Sequence, residues 1–214
     1  MPLQLRRAVE KDIPGIVQAT VASFHADTDI ISSRLFPSHL RPAGVSYEEA
    51  ATPWWLARFT LYMKAPRPVF VVVTDDELNG EIVGFAMWER PVSGSDAQPL
   101  PYIEPVPGFD EKAFEEMKEI LGKDVLETFG PDGDDDLWCL GNLGVHPRHQ
   151  GRGVGKLLLR WGMEQAAAEG KDCHLVATPA GFLLYKKSGF EVLRELSILG
   201  GPHYSMVLRH SSQA

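Results

Sequence analysis

The sequence predicts a mixed α/β fold. Three observations support this class: strand and helix candidates alternate along the chain, residues 137–177 read as strand, turn, helix and strand, and hydrophobic residues make up 44% of the 214 residues. That hydrophobic content is ordinary for a globular protein and supplies a core. A chain of this length corresponds to one large domain, with or without an insertion. We therefore expect a single domain over residues 1–214.

The first half of the chain predicts an extended run, two helices and a β-hairpin. A capping residue precedes each helix, and the Asn-Gly pair at 79–80 provides the hairpin turn. Pro53 lies within the second helix and can divide it. In chain order these elements are the run 6–9, a helix that begins after the capping residue Asp12, a helix from Ser46 towards Met63, and strands at 69–74 and 81–88.

The second half predicts a long loop followed by alternating helices and strands. Residues 91–107 are rich in Pro, Gly and Ser, which is typical of a loop. The apolar residues of the later segments repeat with either helical or strand spacing. The predicted elements are helices at 109–129, 153–168 and 181–188, and strands at 137–145, 174–177, 190–198 and 204–208.

Charge is distributed unevenly over three segments. The net charge is −8, and residues 92–136 carry −10, whereas residues 1–91 carry −2 and residues 137–214 carry +4. The middle segment therefore reads as an acidic insertion between strands. An overall negative charge argues against a nucleic-acid or anionic-membrane partner, because both need an excess of Lys and Arg.

Other features of the sequence bear on the location of the protein and on whether it binds a metal. No apolar run approaches the roughly 20 residues of a membrane-spanning helix. The N-terminus lacks the apolar region of a secretory signal. The only cysteines, Cys139 and Cys173, lack the spacing of a zinc site. We expect a cytoplasmic protein with no metal site, and the sequence does not indicate its oligomeric state.

The segment between the strand at 137–145 and the next helix carries the main functional signal. It reads Gln150-Gly151-Arg152-Gly153-Val154-Gly155. Glycines allow a tight turn whose N–H groups converge, and the start of a helix adds unpaired donors and partial positive charge. The motif therefore predicts a phosphate or pyrophosphate site. A P-loop would need Ser or Thr at 157, where Leu157 stands, and the third glycine comes one residue early for a dinucleotide fingerprint.

This loop resembles the acyl-CoA pyrophosphate loop of the GNAT superfamily of N-acetyltransferases. Upstream, residues 143–147 resemble the central strand of that family and its exit. Downstream, residues 177–190 resemble its second motif, in which a helix ends in the pattern Y-x-K-x-G-F, here from Tyr185 to Phe190. The resemblance covers residues 137–195.

The resemblance implies a twisted mixed sheet, flanked by helices, whose fourth and fifth strands splay apart around acetyl-CoA. It implies catalytic roles for Val145, whose N–H would stabilise the oxyanion, and for Tyr185, which would protonate the departing thiolate. Thr178 stands where the family often has an Asn that contacts pantetheine. The implied cofactor-binding residues are Leu143, Gly144, Val145, Gln150, Gly151, Arg152, Gly153, Val154, Gly155, Lys156, Thr178, Tyr185 and Lys187.

The general base is the least defined part of this interpretation. Residues 137–145 contain no carboxylate, which leaves Asp136, Glu104, His146 or water as candidates. The favoured function is acetyl transfer from acetyl-CoA to a primary amine of small size, and the acidic insertion would favour a cationic amine if it borders the acceptor cleft. The alternatives are a non-catalytic acyl-CoA-binding module and an acetyltransferase of protein N-termini or lysines.

Overall fold

The computed structural model describes residues 3–92, 99–131 and 133–210. The strands in this part of the chain are β1 (Leu3–Arg7), β2 (Pro68–Asp75), β3 (Glu81–Glu89), β4 (Trp138–Val145), β5 (Cys173–Ala177), β6 (Glu191–Ile198) and β7 (Gly201–Leu208). The α-helices are α1 (Ile13–Ser23), α2 (Ile30–Leu35), α3 (Tyr47–Tyr62), α4 (Glu111–Phe129), α5 (Val154–Ala168) and α6 (Pro179–Lys187). The expected mixed α/β class is confirmed.

All of these strands form one sheet, in the order β1-β2-β3-β4-β5-β7-β6. Neighbouring strands run antiparallel except β4 and β5, which are parallel. A parallel pair requires a crossover connection, and α5 supplies it. The segment that resembles the acyl-CoA loop therefore joins the two parallel strands.

Each face of the sheet has its own hydrophobic core. On the first face, α1, α2, α3 and α4 pack against the sheet around the buried side chains of Trp54, Phe59 and Phe85. On the second face, α5 and α6 pack against Trp88 and Trp138. None of the helices in the described ranges combines the length and hydrophobicity that a bilayer-spanning segment needs.

The acidic segment between β3 and β4 contributes to the first core. Ala113 and Met117 of α4 are buried there, and Phe109 stacks on Trp54 with ring centroids 4.8 Å apart. Asp110 caps α4 by accepting a hydrogen bond from Ala113 N–H. Residues 93–98 and Asp132 of this segment lie outside the described residues. The described part is thus bound to the sheet by ordinary core packing.

A buried ionic network also anchors α4. The Asp124 carboxylate is 2% exposed and accepts a hydrogen bond from the Ser205 hydroxyl at 2.7 Å. Arg194 Nε lies 3.2 Å from its other oxygen, and His174 Nε2 lies 3.1 Å from Ser205 Oγ. Burial raises the pKa of Asp124, but the interactions with His174, Ser205 and Arg194 outweigh it and lower the pKa overall.

Several local expectations were wrong. Pro53 does not divide α3, because the helix buries Trp54, Trp55 and Phe59, whose packing outweighs one missing hydrogen bond. Asp12 does not cap α1; its carboxylate instead forms a two-point ion pair with Arg6 and accepts the Val9 N–H. The six-residue helix α2 was not anticipated, and β1 begins three residues earlier than expected.

The Asp124 network makes a stability prediction. Asp124→Asn should lower the free energy of unfolding by about 2 kcal/mol, because a hydrogen bond to a charged group contributes roughly 1.5–3 kcal/mol. Since the folded-state pKa of Asp124 is lowered, this contribution is present above about pH 4 and is lost as the pH falls through the folded pKa. Urea denaturation of both proteins at pH 7 and pH 3 measures the difference.

Glu127→Gln is the matched control for that measurement. Glu127 also pairs with Arg194, at 2.8 Å, but it is exposed on the surface of α4. An exposed pair contributes at most about 1 kcal/mol. The stabilising role of Asp124 would be contradicted if both variants lost the same free energy of unfolding. It would also be contradicted if the loss in Asp124→Asn were the same at both pH values.

Candidate active site

The sheet opens between its two parallel strands. Pairing of β4 with β5 extends only from Trp138 and Cys173 to Leu140 and Leu175. Beyond that point β4 continues to Val145 while bonded only to β3, so one of its edges is unpaired. The sequence-based expectation of splayed central strands is confirmed. Crevices at the carboxyl ends of parallel strands are common ligand sites.

The hydrogen-bond pattern of β4 fixes which backbone groups face this gap. The His146 N–H donates to the Val83 carbonyl at 3.0 Å, so the adjacent pair of Val145 and Gly84 is not hydrogen-bonded. Val145 therefore directs its N–H and carbonyl away from β3, and Leu143, two residues earlier, does the same. The Val145 carbonyl accepts a hydrogen bond from Gln150 Nε2 at 3.3 Å.

The glycine loop before α5 presents a run of N–H groups that have no acceptor in the described part of the chain. The run comprises residues 151–153 of the loop and 154–156 of the first helical turn, and it ends at Leu157, which donates to the Gly153 carbonyl. Gly151 and Gly153 adopt positive φ values of 76° and 84°, which favour glycine. Six consecutive free donors at the positive end of a helix are an arrangement that suits an anion.

An ion pair anchors the glycine loop to β2. Arg152 donates to Asp75 Oδ2 at 2.7 Å and lies 3.1 Å from His149 Nδ1. The Asp75 side chain is 2% exposed, and its other oxygen accepts the Glu77 N–H. The hydrogen bond from Arg152 is the main reason that the pKa of Asp75 lies below its ordinary value. Arg152 thus holds the loop in place through its own side chain.

The start of α5, the end of β4 and α6 meet beside the gap. A methyl group placed on Gly155 would lie 3.3 Å from Leu184 of α6, 3.7 Å from Val145 and 3.8 Å from Leu143. Tyr185 follows Leu184 and is 8% exposed in the second core. Burial raises the pKa of its phenol above the ordinary value. The phenol of Tyr185 therefore keeps its proton throughout the neutral pH range.

The remaining predicted cofactor residues surround this meeting point or lie on its outer side. Gly144 is buried within β4. The Thr178 hydroxyl caps α6 by accepting the Gly181 N–H at 3.3 Å. Lys156 and Lys187 are exposed, and no ion pair within the described ranges engages either ammonium group. Both side chains are free to contact an anion.

The candidate general bases do not converge on the gap. Asp136 precedes β4 and pairs with Lys171, which places it more than about 20 Å from Val145 at a strand rise of 3.3 Å per residue. Glu104 is exposed on a loop. His146 Nδ1 accepts the Arg148 N–H, so its lone pair is in use. Burial, followed by the nearby His149 and Arg148, lowers the pKa of His146.

Two polar residues near the site were not identified from the sequence. Asp75 ends a hydrophobic strand and meets Arg152 from 77 residues away, so no local pattern connects them. Asn142 lies on β4 next to Leu143, and its Oδ1 is buried without a hydrogen-bond partner. Its register partner on β3 is Met87, which belongs to the first core, so the Asn142 side chain faces the first face.

Comparison with known proteins shows which proteins this chain is similar to. Residues 113–192 match the family model described as the acetyltransferase (GNAT) domain. An acetyltransferase from Stachybotrys chartarum is 25% identical over 203 residues, which cover 91% of this chain and 83% of that protein.

The solved structures that share the fold of this chain include the following two. A histone acetyltransferase HPA2 and related acetyltransferase from Corynebacterium glutamicum aligns with a TM-score of 0.62 and 22% identity, covering 100% of this chain and 99% of that one. The PaiA N-acetyltransferase from Thermoplasma acidophilum, in complex with coenzyme A, aligns with a TM-score of 0.58 and 13% identity, covering 98% and 100% of the two chains.

The loop geometry predicts the effect of one glycine substitution. Gly153→Ala should weaken coenzyme A binding about tenfold, because an L side chain at positive φ costs roughly 1–2 kcal/mol and displaces the converging N–H groups. Titration calorimetry with coenzyme A and urea denaturation measure the two effects.

Gly122→Ala provides the control. Gly122 lies inside α4, where an added methyl group meets no atom within 4 Å. This variant should be stabilised by about 0.5–1 kcal/mol and should bind coenzyme A like the wild type. Unchanged affinity in Gly153→Ala would show that the loop is not the binding site.

Proposed function

We propose that this chain is an acetyltransferase of the GNAT superfamily and that it transfers the acetyl group of acetyl-CoA directly to a primary amine. The observation that carries this proposal is the run of six unpaired N–H groups at 151–156, beside the strand edge that holds the N–H of Val145. The run suits a pyrophosphate, and the open strand edge suits an extended amide chain. Acetyl-CoA contains both groups at opposite ends of one molecule.

In the proposed reaction, the amine nitrogen attacks the thioester carbonyl on the gap side of β4. The N–H of Val145, which is directed away from β3, donates to the oxygen as negative charge develops on it. Collapse of the tetrahedral intermediate breaks the C–S bond and releases the thiolate, which takes a proton from Tyr185 as the bond breaks; the resulting phenolate regains a proton from water. The amine loses its own proton to water.

The proposed role of Tyr185 depends on its protonation. A phenol whose pKa is raised by burial keeps its proton at neutral pH and can donate it to a thiolate. It would be a poor base in the same range. The Tyr185 hydroxyl lies near the start of α6, where a methyl group placed on Gly181 would be 3.5 Å from it, and α6 directly follows β5.

The acceptor is proposed to be a small cationic amine that approaches from the first face. The second face is filled by α5 and α6, whereas α4 of the first face carries the exposed carboxylates Glu115, Glu116 and Glu119, of which Glu115 pairs with Lys118. A negatively charged surface raises the local concentration of cations. Asp136, in contrast, lies at the remote end of β4, so the acidic turn that contains it does not contribute to this argument.

A second candidate function is a non-catalytic acyl-CoA-binding module. It is favoured by one observation: the unpaired segment of β4 contains no carboxylate, and the lone pair of His146 Nδ1 is occupied. Such a module would bind acetyl-CoA without transferring its acetyl group. Release of free thiol from acetyl-CoA across a panel of small amines distinguishes the two functions, and peptides with free N-termini or lysines serve as a further set of acceptors.

Tyr185→Phe tests the proposed proton donor in the same assay. Loss of the hydroxyl should lower kcat for amine acetylation by about a hundredfold, a typical contribution of a general acid. The affinity for acetyl-CoA should change little. Because burial raises the pKa of Tyr185, the wild-type kcat should show no loss from phenol ionisation at pH values up to about 10.

Tyr204→Phe is the control. Tyr204 packs against Phe182 with ring centroids 4.5 Å apart, on the same face as Tyr185, and has no role in the proposed reaction. Its kcat should equal that of the wild type. Acetyl-CoA binding without turnover on any amine or peptide would exclude the transferase, and equal activity of Tyr185→Phe and wild type would exclude Tyr185 as the acid.

A further inference from the structure

One polar atom on the splayed segment of β4 has no partner. Asn142 Oδ1 is buried and accepts no hydrogen bond, although the residue as a whole is only partly buried. An unsatisfied buried carbonyl destabilises the free protein, because it has given up its hydrogen bonds to water. Such an atom is usually explained in one of two ways: favourable packing elsewhere in the protein offsets its cost, or a ligand binds to it.

The position of Asn142 points to a ligand. Asn142 immediately precedes Leu143, whose N–H faces the gap, and it lies beyond the last pair between β4 and β5. Its register with Met87 places the side chain on the first face, opposite α5 and Tyr185. The carboxamide therefore borders the gap on the first face, which is the side of the proposed acceptor approach.

Other unpaired buried atoms in the described part of the chain lie elsewhere. Those of Trp54, Trp55 and Arg58 belong to α3, where the rings surround the Arg58 guanidinium. His203 lies on β7 and is almost completely buried. Asn142 thus combines an unpaired acceptor atom, a residue that is exposed in its other part, and a place on the splayed strand. Because Oδ1 itself is covered, a rotation of the carboxamide must uncover it before a ligand can bind to it.

We propose that Asn142 binds the acceptor amine, with Oδ1 accepting a hydrogen bond from the amine N–H while the nitrogen attacks the acetyl carbon. This inference rests on the proposed function and specifies how its acceptor is held. This hydrogen bond uses one N–H group of the amine, so that the lone pair of the nitrogen can point into the gap. A neutral carboxamide orients the amine but does not remove its proton, which leaves through water.

The proposal predicts a selective defect in Asn142→Leu. The KM for the amine should rise about tenfold, the value of one hydrogen bond, with the dissociation constant of acetyl-CoA unchanged. Asn142→Asp keeps an acceptor oxygen and should hold the amine KM within about threefold of the wild type. The melting temperature of Asn142→Leu without ligands should equal or exceed that of the wild type, because an unpaired buried oxygen is removed.

Met87→Leu is the matched control, since it alters the register partner on the same face with little change in volume. Its amine KM should remain that of the wild type. The proposal is overturned if Asn142→Leu keeps the wild-type amine KM, if it weakens acetyl-CoA equally, or if it lowers the melting temperature. If the wild type turns over and Asn142→Leu leaves the amine KM unchanged, only this inference is rejected. If the wild type shows no turnover, the proposed function is rejected.

Discussion

The site depends on the early end of the ladder between β4 and β5. Two parallel strands that stayed paired would satisfy each other's N–H and carbonyl groups and leave nothing for a ligand. Here the ladder ends at Leu140 and Leu175, whereas β4 continues to Val145. The released strand edge, the loop that leaves it and the helix α5 that follows all present donors near one place. Their unpaired state in the free protein is the physical basis of the proposed binding of acetyl-CoA.

The sheet also separates the residues that are proposed to serve the two reactants. The proposed proton donor Tyr185 belongs to the core of the second face, whereas Asn142 and α4 belong to the first face. An acyl donor lying in the gap is therefore accessible from both faces. This arrangement allows the attacking amine and the departing thiolate to be served by different residues, which suits a direct transfer without a covalent enzyme intermediate.

The sequence predicted well those features that depend on neighbouring residues. The hairpin of β2 and β3, the helix α5 and the glycine loop follow from local periodicity and turn chemistry, and their bounds agree with expectation to within about two residues. Asp12 illustrates the opposite case, because its local pattern indicated a cap whereas Arg6 supplies a stronger partner. Residues joined only by the tertiary fold, such as Asp75 with Arg152 and Asp124 with His174, have no local signal.

The pair of Asp75 and Arg152 shows why a basic residue in a phosphate motif is not automatically a phosphate contact. A carboxylate beside an anion site reduces the positive charge that the site offers, which would be a disadvantage if side-chain charge supplied the affinity. The same pair fixes the loop, however. It thereby fixes the directions of six backbone N–H groups, which are themselves uncharged. Oriented N–H groups and a helix terminus need no side chain to attract an anion. In this loop, the contribution of Arg152 is therefore better understood as preorganisation of the backbone.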